Sequence, residues 1–189
     1  MGDKMKKYTT FALAAAAVVM PAAAHAQAYV QVEAGLDSVS VQGESDEGVA
    51  FGAAIGYDFP LGDSAFIGIE GSIDDSSTKE CADDVILVGD ELCLKTGRDL
   101  AATVHIGTKL GEKTKIYALG GYTNARLKLT YDDGVTSDSV GDNGDGWRLG
   151  AGVKHNFGEK FFGKVEYRYS NYESDFSRHN ALIALGMDF

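Results

Sequence analysis

The sequence predicts an all-β protein, an eight-stranded antiparallel up-and-down transmembrane β-barrel, and three observations lead to this prediction. Apolar and polar residues alternate in eight segments of about ten residues, which is the pattern of strands with one apolar and one polar face. Short turns and long polar loops alternate between the segments. Aromatic residues cluster near both ends of the segments, as they do where a barrel wall crosses the two interfaces of a bilayer.

The first 26 residues have the order of a secretory signal peptide. Three lysines precede an apolar run over 11–20, and Ala24-His25-Ala26 forms a small-x-small cleavage site. The alternative is an N-terminal membrane anchor, but the apolar run is too short to cross a bilayer as a helix. We therefore expect removal of residues 1–26, export through the periplasm and a single mature domain over 27–189.

Each predicted strand turns an apolar face to the lipid and a polar, glycine-rich face to the lumen. The predicted lipid-facing residues are Val30, Val32, Ala34 and Leu36; Phe51, Ala53, Ile55, Tyr57 and Phe59; Ile67, Ile69 and Ile73; Leu100, Ala102, Val104 and Ile106; Tyr117, Leu119, Leu127, Leu129 and Tyr131; Trp147, Leu149, Ala151, Val153 and Phe157; Val165, Tyr167 and Tyr169; and Ala181, Ile183, Leu185, Met187 and Phe189.

The connections indicate how the barrel is oriented. An even number of strands places both termini on the short-turn side, which in bacterial barrels is periplasmic. A soluble barrel around an apolar ligand is the alternative, but the predicted inner face mixes glycines with charges of both signs and would make a poor apolar pocket. The predicted tight turns are 60–63, 111–114 and 158–160, and the long loops are 37–48, 74–97, 132–146 and 171–178.

The charge balance is acidic and argues against nucleic-acid binding. Without the first 26 residues the chain has 14 Lys and Arg against 27 Asp and Glu, a net charge of −13. The four long loops hold 18 of these acids and only three bases, Lys79, Lys95 and Arg178. Solvation beside lipopolysaccharide is the plainest role for such loops, and an adhesive surface is a second one.

A calcium site in the third long loop is a sharper alternative for the acidic residues. Asp138, Asp142 and Asp145 supply carboxylates, but their spacing departs from that of an EF-hand loop. The sequence therefore predicts no cofactor and no resident metal.

Inward charges predict a plugged lumen, because alternation places seven acids and seven bases on the inner face. An eight-stranded barrel has an interior only wide enough for side chains to fill, and unpaired charges there would be costly. We expect three arginines to pair with three glutamates in a sealed network, and a narrow conducting path is the alternative. The predicted network consists of Glu33, Glu70, Arg126, Arg148, Glu166 and Arg168.

The two cysteines, Cys81 and Cys93, predict a disulfide. An exported protein passes through an oxidising compartment, where two thiols separated by a short loop form a bond. A metal site is the alternative, but no histidine lies between or beside these thiols.

Two strands and the terminal residue carry a resemblance to a known family. The segments Tyr117-Ala118-Leu119-Gly120-Gly121-Tyr122 and Val165-Glu166-Tyr167-Arg168-Tyr169, together with the terminal Phe189, resemble the small outer-membrane β-barrel family. That family includes the OmpA transmembrane domain, OmpX and the neisserial opacity-type proteins. The resemblance implies an outer-membrane location, and it implies that the barrel-assembly machinery reads Phe189 as an assembly signal.

Catalysis is not expected from the residues present. Some barrels of similar fold are lipid A deacylases with a His-x-Ser-Asn motif, but here Arg168-Tyr169-Ser170-Asn171 has arginine in place of the histidine. The histidines His105, His155 and His179 fall on three different predicted strands, with no serine at a useful spacing. We therefore predict that the protein is not an enzyme.

The sequence predicts an outer-membrane barrel with a structural or surface-interaction role, a sealed lumen and acidic extracellular loops. A narrow porin-like channel for ions or small solutes is the alternative, and a lipid A-modifying enzyme is a weaker one. The expected partners are outer-membrane lipid and lipopolysaccharide, the barrel-assembly machinery and a surface ligand that the sequence does not name. We expect the barrel to be a monomer.

Overall fold

The computed structural model describes residues 27–41, 44–83, 91–132, 137–173 and 176–189, and their regular structure is entirely β. The predicted signal peptide, residues 1–26, lies outside the described residues. These described ranges contain no helix that is long and apolar enough to cross a membrane. The strands are β1 (Gln27–Val41), β2 (Glu44–Leu61), β3 (Ala65–Ser76), β4 (Lys79–Asp83), β5 (Glu91–Leu110), β6 (Thr114–Asp132), β7 (Ser137–Asn156), β8 (Phe161–Tyr172) and β9 (Phe176–Asp188).

The strands close into a barrel by antiparallel pairing. Strand β1 pairs with both β2 and β9, and the pairing of β3 with β5 completes the ring. Strands β3 and β4 lie end to end along β5, so they count as one strand interrupted at residues 77 and 78. The predicted eight-stranded antiparallel barrel is therefore confirmed, and its closure pairs the backbone groups as a bilayer requires.

The strands extend further than the sequence predicts at the long-loop end. Strand β7 already begins at Ser137, inside the predicted loop 132–146, and β1 continues to Val41 within the predicted loop 37–48. Alternation of apolar and polar residues marks a strand only where one face meets lipid. Above the bilayer both faces meet water, so the alternation is lost while the hydrogen-bonded ladder continues. At the other end the turns are tight, and Gly62 and Gly111 adopt the positive φ that they require.

The wall has the reverse polarity of a soluble protein. Outward side chains are apolar and exposed, such as Val32, Ile55 and Leu185, whereas inward side chains are charged and buried, such as Glu33 and Arg168. The predicted assignment of the two faces agrees with this arrangement on every barrel strand except β6.

On β6 the predicted faces are wrong. Tyr117 and Leu119 are buried in the lumen, while Tyr122 is exposed on the wall. Glycines on β7 leave room for the two bulky inward side chains: a Cβ atom at Gly152 would collide with the Tyr117 hydroxyl, and one at Gly150 would lie 3.2 Å from Leu119 Cγ. Apolar residues occur on both faces of β6, so its alternation does not fix which face is inward.

Candidate functional site

Charged side chains fill the lumen, and every strand of the closed barrel contributes at least one of them. Such a concentration of buried charge is stable only when acids and bases are paired. The buried acids are Glu33, Asp37, Asp58, Glu70, Asp74, Asp99, Glu166 and Asp188, and the buried bases are Lys115, Arg148, Lys154, Lys164, Arg168 and Arg178.

Arg168 is the centre of this network. Its two terminal nitrogens contact the two carboxylate oxygens of Glu33, Nη1 to Oε1 at 2.5 Å and Nη2 to Oε2 at 3.0 Å. Its Nε donates a hydrogen bond to Glu166, and Asp74 and Glu70 lie 3.4 and 3.6 Å away. The planar guanidinium thus satisfies several carboxylates at once, which a lysine in this position would not do.

Glu70 joins this centre to the lysine on the neighbouring strand. Lys164 Nζ donates to Glu70 Oε2 at 2.7 Å, and the Tyr29 hydroxyl donates to the same oxygen at 2.8 Å. His105 Nε2 lies 3.9 Å from the other carboxylate oxygen. Glu166 also accepts a hydrogen bond from Tyr117, so the inward face of β6 takes part in the network.

Towards the long-loop end a second group of ion pairs closes the lumen. Arg178 donates to Asp37 at 2.7 Å and to Asp99 at 3.2 Å. Arg148 donates to Asp99 at 2.6 Å and, through Nε, to Ser170 Oγ at 2.8 Å. Two arginines therefore share one aspartate across the width of the barrel.

Towards the short-turn end a third group consists of lysines. Lys115 Nζ lies 2.7 Å from Asp58, and Lys154 Nζ lies 2.6 Å from Asp188. The ammonium of Lys154 also stacks over the Phe162 ring at 3.9 Å from its centroid. Charged pairs thus occupy the lumen from one end of the membrane span to the other.

The structure brings four of the six predicted network residues into one cluster: Glu33, Glu70, Glu166 and Arg168. Arg148 is inside the lumen as well, but its partners are aspartates rather than the predicted glutamate.

Arg126 requires a correction, because its side chain is exposed on the outer wall. This outward position arises because the inner and outer faces of β6 are the reverse of the predicted ones. For the same reason Lys128 lies outside the lumen. Arg178 and Asp74, which the sequence places in loops, are buried in the network instead. Arg178 is two residues from Asn180 and four from Leu182, so the period of two along β9 places all three on the inner face. Extending this period by one step would have identified Arg178 as a lumen residue.

Replacing Glu70 by glutamine is expected to lower the free energy of unfolding by about 1.5–3 kcal/mol, since Lys164 loses the nearer of its two carboxylate partners. Equilibrium unfolding of the protein in lipid vesicles measures this change. Glu112→Gln, at an exposed short turn, is the control and should change stability by about 0.5 kcal/mol or less. Equal effects of the two substitutions would exclude Glu70 from the network.

Cys81 and Cys93 face each other on β4 and β5 and are joined by a disulfide. The Glu91 carboxylate lies near both sulfurs. Because the bond occupies both sulfurs, no thiolate remains to bind a metal there. The disulfide fixes β4, the outer part of the interrupted strand, to the barrel wall.

Two of the three acidic residues considered for calcium, Asp142 and Asp145, accept hydrogen bonds from different groups. Asp145 accepts hydrogen bonds from the Tyr122 hydroxyl at 2.5 Å and from the Asn124 amide at 2.7 Å, and these bonds lower the pKa of Asp145. Asp142 accepts a hydrogen bond from the backbone N–H of its own neighbour, Asn143. The side chain of Asp138 lies outside the described residues.

Ser170 lies within the segment that resembles the deacylase motif, and it is 0% exposed. Its hydroxyl accepts from Arg148, an always-protonated group that cannot act as a base. Within the described part of the chain, the hydroxyl groups bonded to histidine rings belong to Thr103, Thr114 and Tyr167. The geometry around Ser170 is therefore that of a structural hydrogen bond.

Aromatic side chains mark both rims of the apolar wall. Phe157, Phe161 and Phe189 are exposed at the short-turn end, and Tyr122 and Trp147 are exposed towards the other end. Phe189, at 69% exposure, is held by a backbone hydrogen bond from its N–H to Ala28.

Two aromatic residues near the strand ends are not on the wall, and one of them, Tyr117, is a predicted lipid-facing residue. Tyr117 and Tyr172 are buried in the lumen, where their hydroxyls donate to Glu166 and Asp99. Each tyrosine therefore supplies a hydrogen bond to the charge network instead of an interfacial ring.

Comparison with known proteins identifies the fold. A family model described as "Outer membrane protein beta-barrel domain" matches residues 9–189. Among solved structures, the chain is similar to Ail, the attachment invasion locus protein of Yersinia pestis, solved in complex with the heparin analogue sucrose octasulfate. The identity is 15%, the TM-score is 0.61, and the match covers 87% of this chain and 99% of that chain.

Neisserial surface protein A is also similar, with 14% identity, a TM-score of 0.56 and coverage of 86% of this chain and 97% of that chain. A major outer membrane protein from Thermus thermophilus has 11% identity, a TM-score of 0.52 and coverage of 87% of this chain and 100% of that chain. At these identities the likeness shows the fold. Among curated proteins, none matches this sequence.

Proposed function

Because this chain belongs to the outer membrane protein β-barrel domain family, we propose that it is a sealed barrel that displays acidic hairpins at the cell surface and supports the integrity of the outer membrane. The observation that carries the proposal is the buried charge network. A barrel of this size has little space beyond its own side chains, and here those side chains are bound to one another across the lumen.

Sealing is supported by the three groups of ion pairs along the lumen. A conducting path would have to pass Arg178 with Asp37, then Arg168 with Glu33, then Lys154 with Asp188. Opening any group would leave buried charges without partners, which costs several kcal/mol per ion. The geometry therefore favours an anchor over the narrow channel that is the second candidate.

The hairpins beyond the membrane supply the proposed surface role. Glu47, Asp75, Asp142, Asp145 and Glu173 are exposed at the long-loop end. Rigid strands present these carboxylates, and surface hairpins on a rigid scaffold are where binding residues occur. An attachment role is part of the name of the similar Yersinia protein, and it agrees with this placement.

Export and assembly complete the proposal. A chain exported through the periplasm would reach the outer membrane with Phe189 directly after its last strand, available to the assembly machinery. The same geometry argues against lipid A modification, because the Ser170 hydroxyl is occupied by Arg148.

Cells that lack the protein are expected to take up more of a hydrophobic dye such as phenylnaphthylamine, because the outer membrane loses an integrity component. Fluorescence of the dye in intact cells measures the change, and expression of the wild-type chain should restore the low uptake. Unchanged uptake in the deletion strain would contradict the integrity role.

A further inference from the structure

The 14 lysines and arginines of residues 27–189 fall into three groups in space. Six are buried in the lumen network, and Lys109, Lys113 and Lys160 lie at the short-turn end. All the remaining ones are exposed on one side of the outer wall, on three adjacent strands, and we refer to them as the basic patch. The basic patch consists of Lys79, Lys95, Arg98, Arg126 and Lys128.

The strand register brings these cations together. Lys95 on β5 is the direct cross-strand partner of Lys79 on β4 and of Lys128 on β6. Arg98 lies in the β-bulge between Thr96 and Asp99. Like charges directly opposite each other in a sheet are destabilising unless a counter-ion lies between them, so this row of three lysines points to a ligand.

Arg126 adjoins the bulge that carries Arg98. A Cβ atom built at Gly97 would lie 3.1 Å from the backbone oxygen of Arg126 and 3.8 Å from its Cβ atom. The two arginines therefore lie on neighbouring segments of the wall, next to the lysine row.

The protein itself supplies little compensating charge at the patch. Lys79 lies 3.6 Å from the Glu91 carboxylate. Within the described segments the other four cations make no ion pair or side-chain hydrogen bond. On the far side of β6, the cross-strand partners of Arg126 and Lys128 are the uncharged Asn143 and Gly141.

The height of the patch matches a lipid headgroup layer. Arg98 is two residues closer to the long-loop end of β5 than Leu100, an exposed wall residue. At ~3.3 Å per residue, this separation is about 7 Å along the strand. Arg126 lies four residues above the rim residue Tyr122. The headgroup region extends several ångströms beyond the hydrocarbon core, so Arg98 would lie within it. The lysine row would lie above it, at the level of a large glycolipid headgroup.

We propose that the basic patch binds the phosphate groups of a lipopolysaccharide-type glycolipid in the outer leaflet. The two arginines present planar pairs of donors that suit phosphate, and the lysines add point charges above them. The acidic hairpins would repel a soluble polyanion, whereas a lipid anchored in the bilayer reaches the patch from the side. This inference rests on the membrane placement of the barrel and does not depend on whether the lumen conducts.

Removal of three patch charges tests the proposal. In detergent micelles, the variant Arg98→Gln, Arg126→Gln, Lys128→Gln is expected to bind purified bisphosphorylated lipid A about 100-fold more weakly than the wild type. The matched variant Lys109→Gln, Lys113→Gln, Lys160→Gln changes the net charge equally at the other end and should bind as the wild type does. Equal affinities of the two variants would overturn the proposal.

Folding of each variant is checked by heat-modifiable gel mobility, and the charge-preserving variant Arg98→Lys, Arg126→Lys, Lys128→Arg should retain most of the affinity. Three further probes identify the source of the phosphate. Dephosphorylated lipid A should bind poorly to the wild type, and inorganic pyrophosphate and sucrose octasulfate should bind more weakly than lipid A. Equal or tighter binding of any of the three would overturn the assignment to a phosphorylated lipid.

Discussion

Replacing Arg168 by methionine is expected to lower the free energy of unfolding of the barrel by about 3–5 kcal/mol. Methionine keeps much of the volume but removes the cation that faces Glu33, Glu166, Asp74 and Glu70. These carboxylates are buried in the lumen. The cations left near them would be Lys164, beside Glu70 and Glu166, and Arg148, which lies 3.8 Å from Asp74. Removing only the cation of a buried ionic cluster costs more free energy than the whole cluster contributes to folding, because the carboxylates stay buried without a partner.

Urea unfolding in lipid vesicles, followed through the fluorescence of Trp147, measures this loss. Arg126→Met is the control: its side chain lies on the outer wall, so it should change stability by about 0.5 kcal/mol or less. Adding Glu33→Gln and Glu166→Gln to Arg168→Met should recover part of the loss, because it removes two unpaired charges. A loss for Arg168→Met as small as that of the control would show that Arg168 does not hold the network together.

Placing an arginine at Val104 is expected to destabilise the barrel by about 2–4 kcal/mol, the cost of a cation on the lipid face near the bilayer midplane. Val104 lies in the middle part of β5, is 48% exposed on the wall, and pairs with Ile69 and Gly120. Its neighbours on the wall are apolar, so the new charge would find neither water nor a partner.

Val140→Arg is the matched substitution for Val104→Arg. Val140 is 72% exposed on β7, beyond the rim residues and in water, so arginine there should change stability by about 0.5 kcal/mol or less. The same vesicle unfolding assay compares the two. If both substitutions were tolerated equally, the assignment of the inner and outer faces of β5 would be wrong.

The sequence predicts the fold well because a membrane imposes alternation along each strand. Val30, Val32 and Leu36 on β1 and Ile183 and Leu185 on β9 all lie on the wall as predicted. Alternation is informative there because lipid and lumen differ strongly in polarity. The same rule correctly predicts that Glu33, Glu166 and Arg168 point inward.

Alternation fails where the two sides of a strand are less different. On β6, apolar residues occupy both faces: Tyr117 and Leu119, which the prediction places on the wall, are buried, whereas Tyr122 is exposed. Gly152 on β7, the cross-strand partner of Tyr117, leaves space for the tyrosine side chain in the lumen. This packing depends on a second strand, so the sequence of β6 alone does not predict it.

Pair identities in the network could not be predicted either. Partners such as Arg168 and Glu33 are 135 residues apart, and the contact depends on the stagger of strands around the barrel. The alternation of apolar and polar residues predicts loops at Arg178 and Asp74. The strands in fact continue past the segments in which one face is apolar, so both residues belong to strands. The sequence thus predicts the composition of the lumen better than its pairing.

Single-channel conductance in a planar bilayer tests the central claim, that interlocked ion pairs seal the lumen. The protein is refolded, its folding is verified by heat-modifiable gel mobility, and the current is recorded under a constant applied voltage. We predict no discrete current steps, because Arg168, Arg148 and Arg178 bind carboxylates across the lumen. Reproducible steps from the folded protein would contradict the sealed barrel and would establish a channel whose selectivity depends on these same charges.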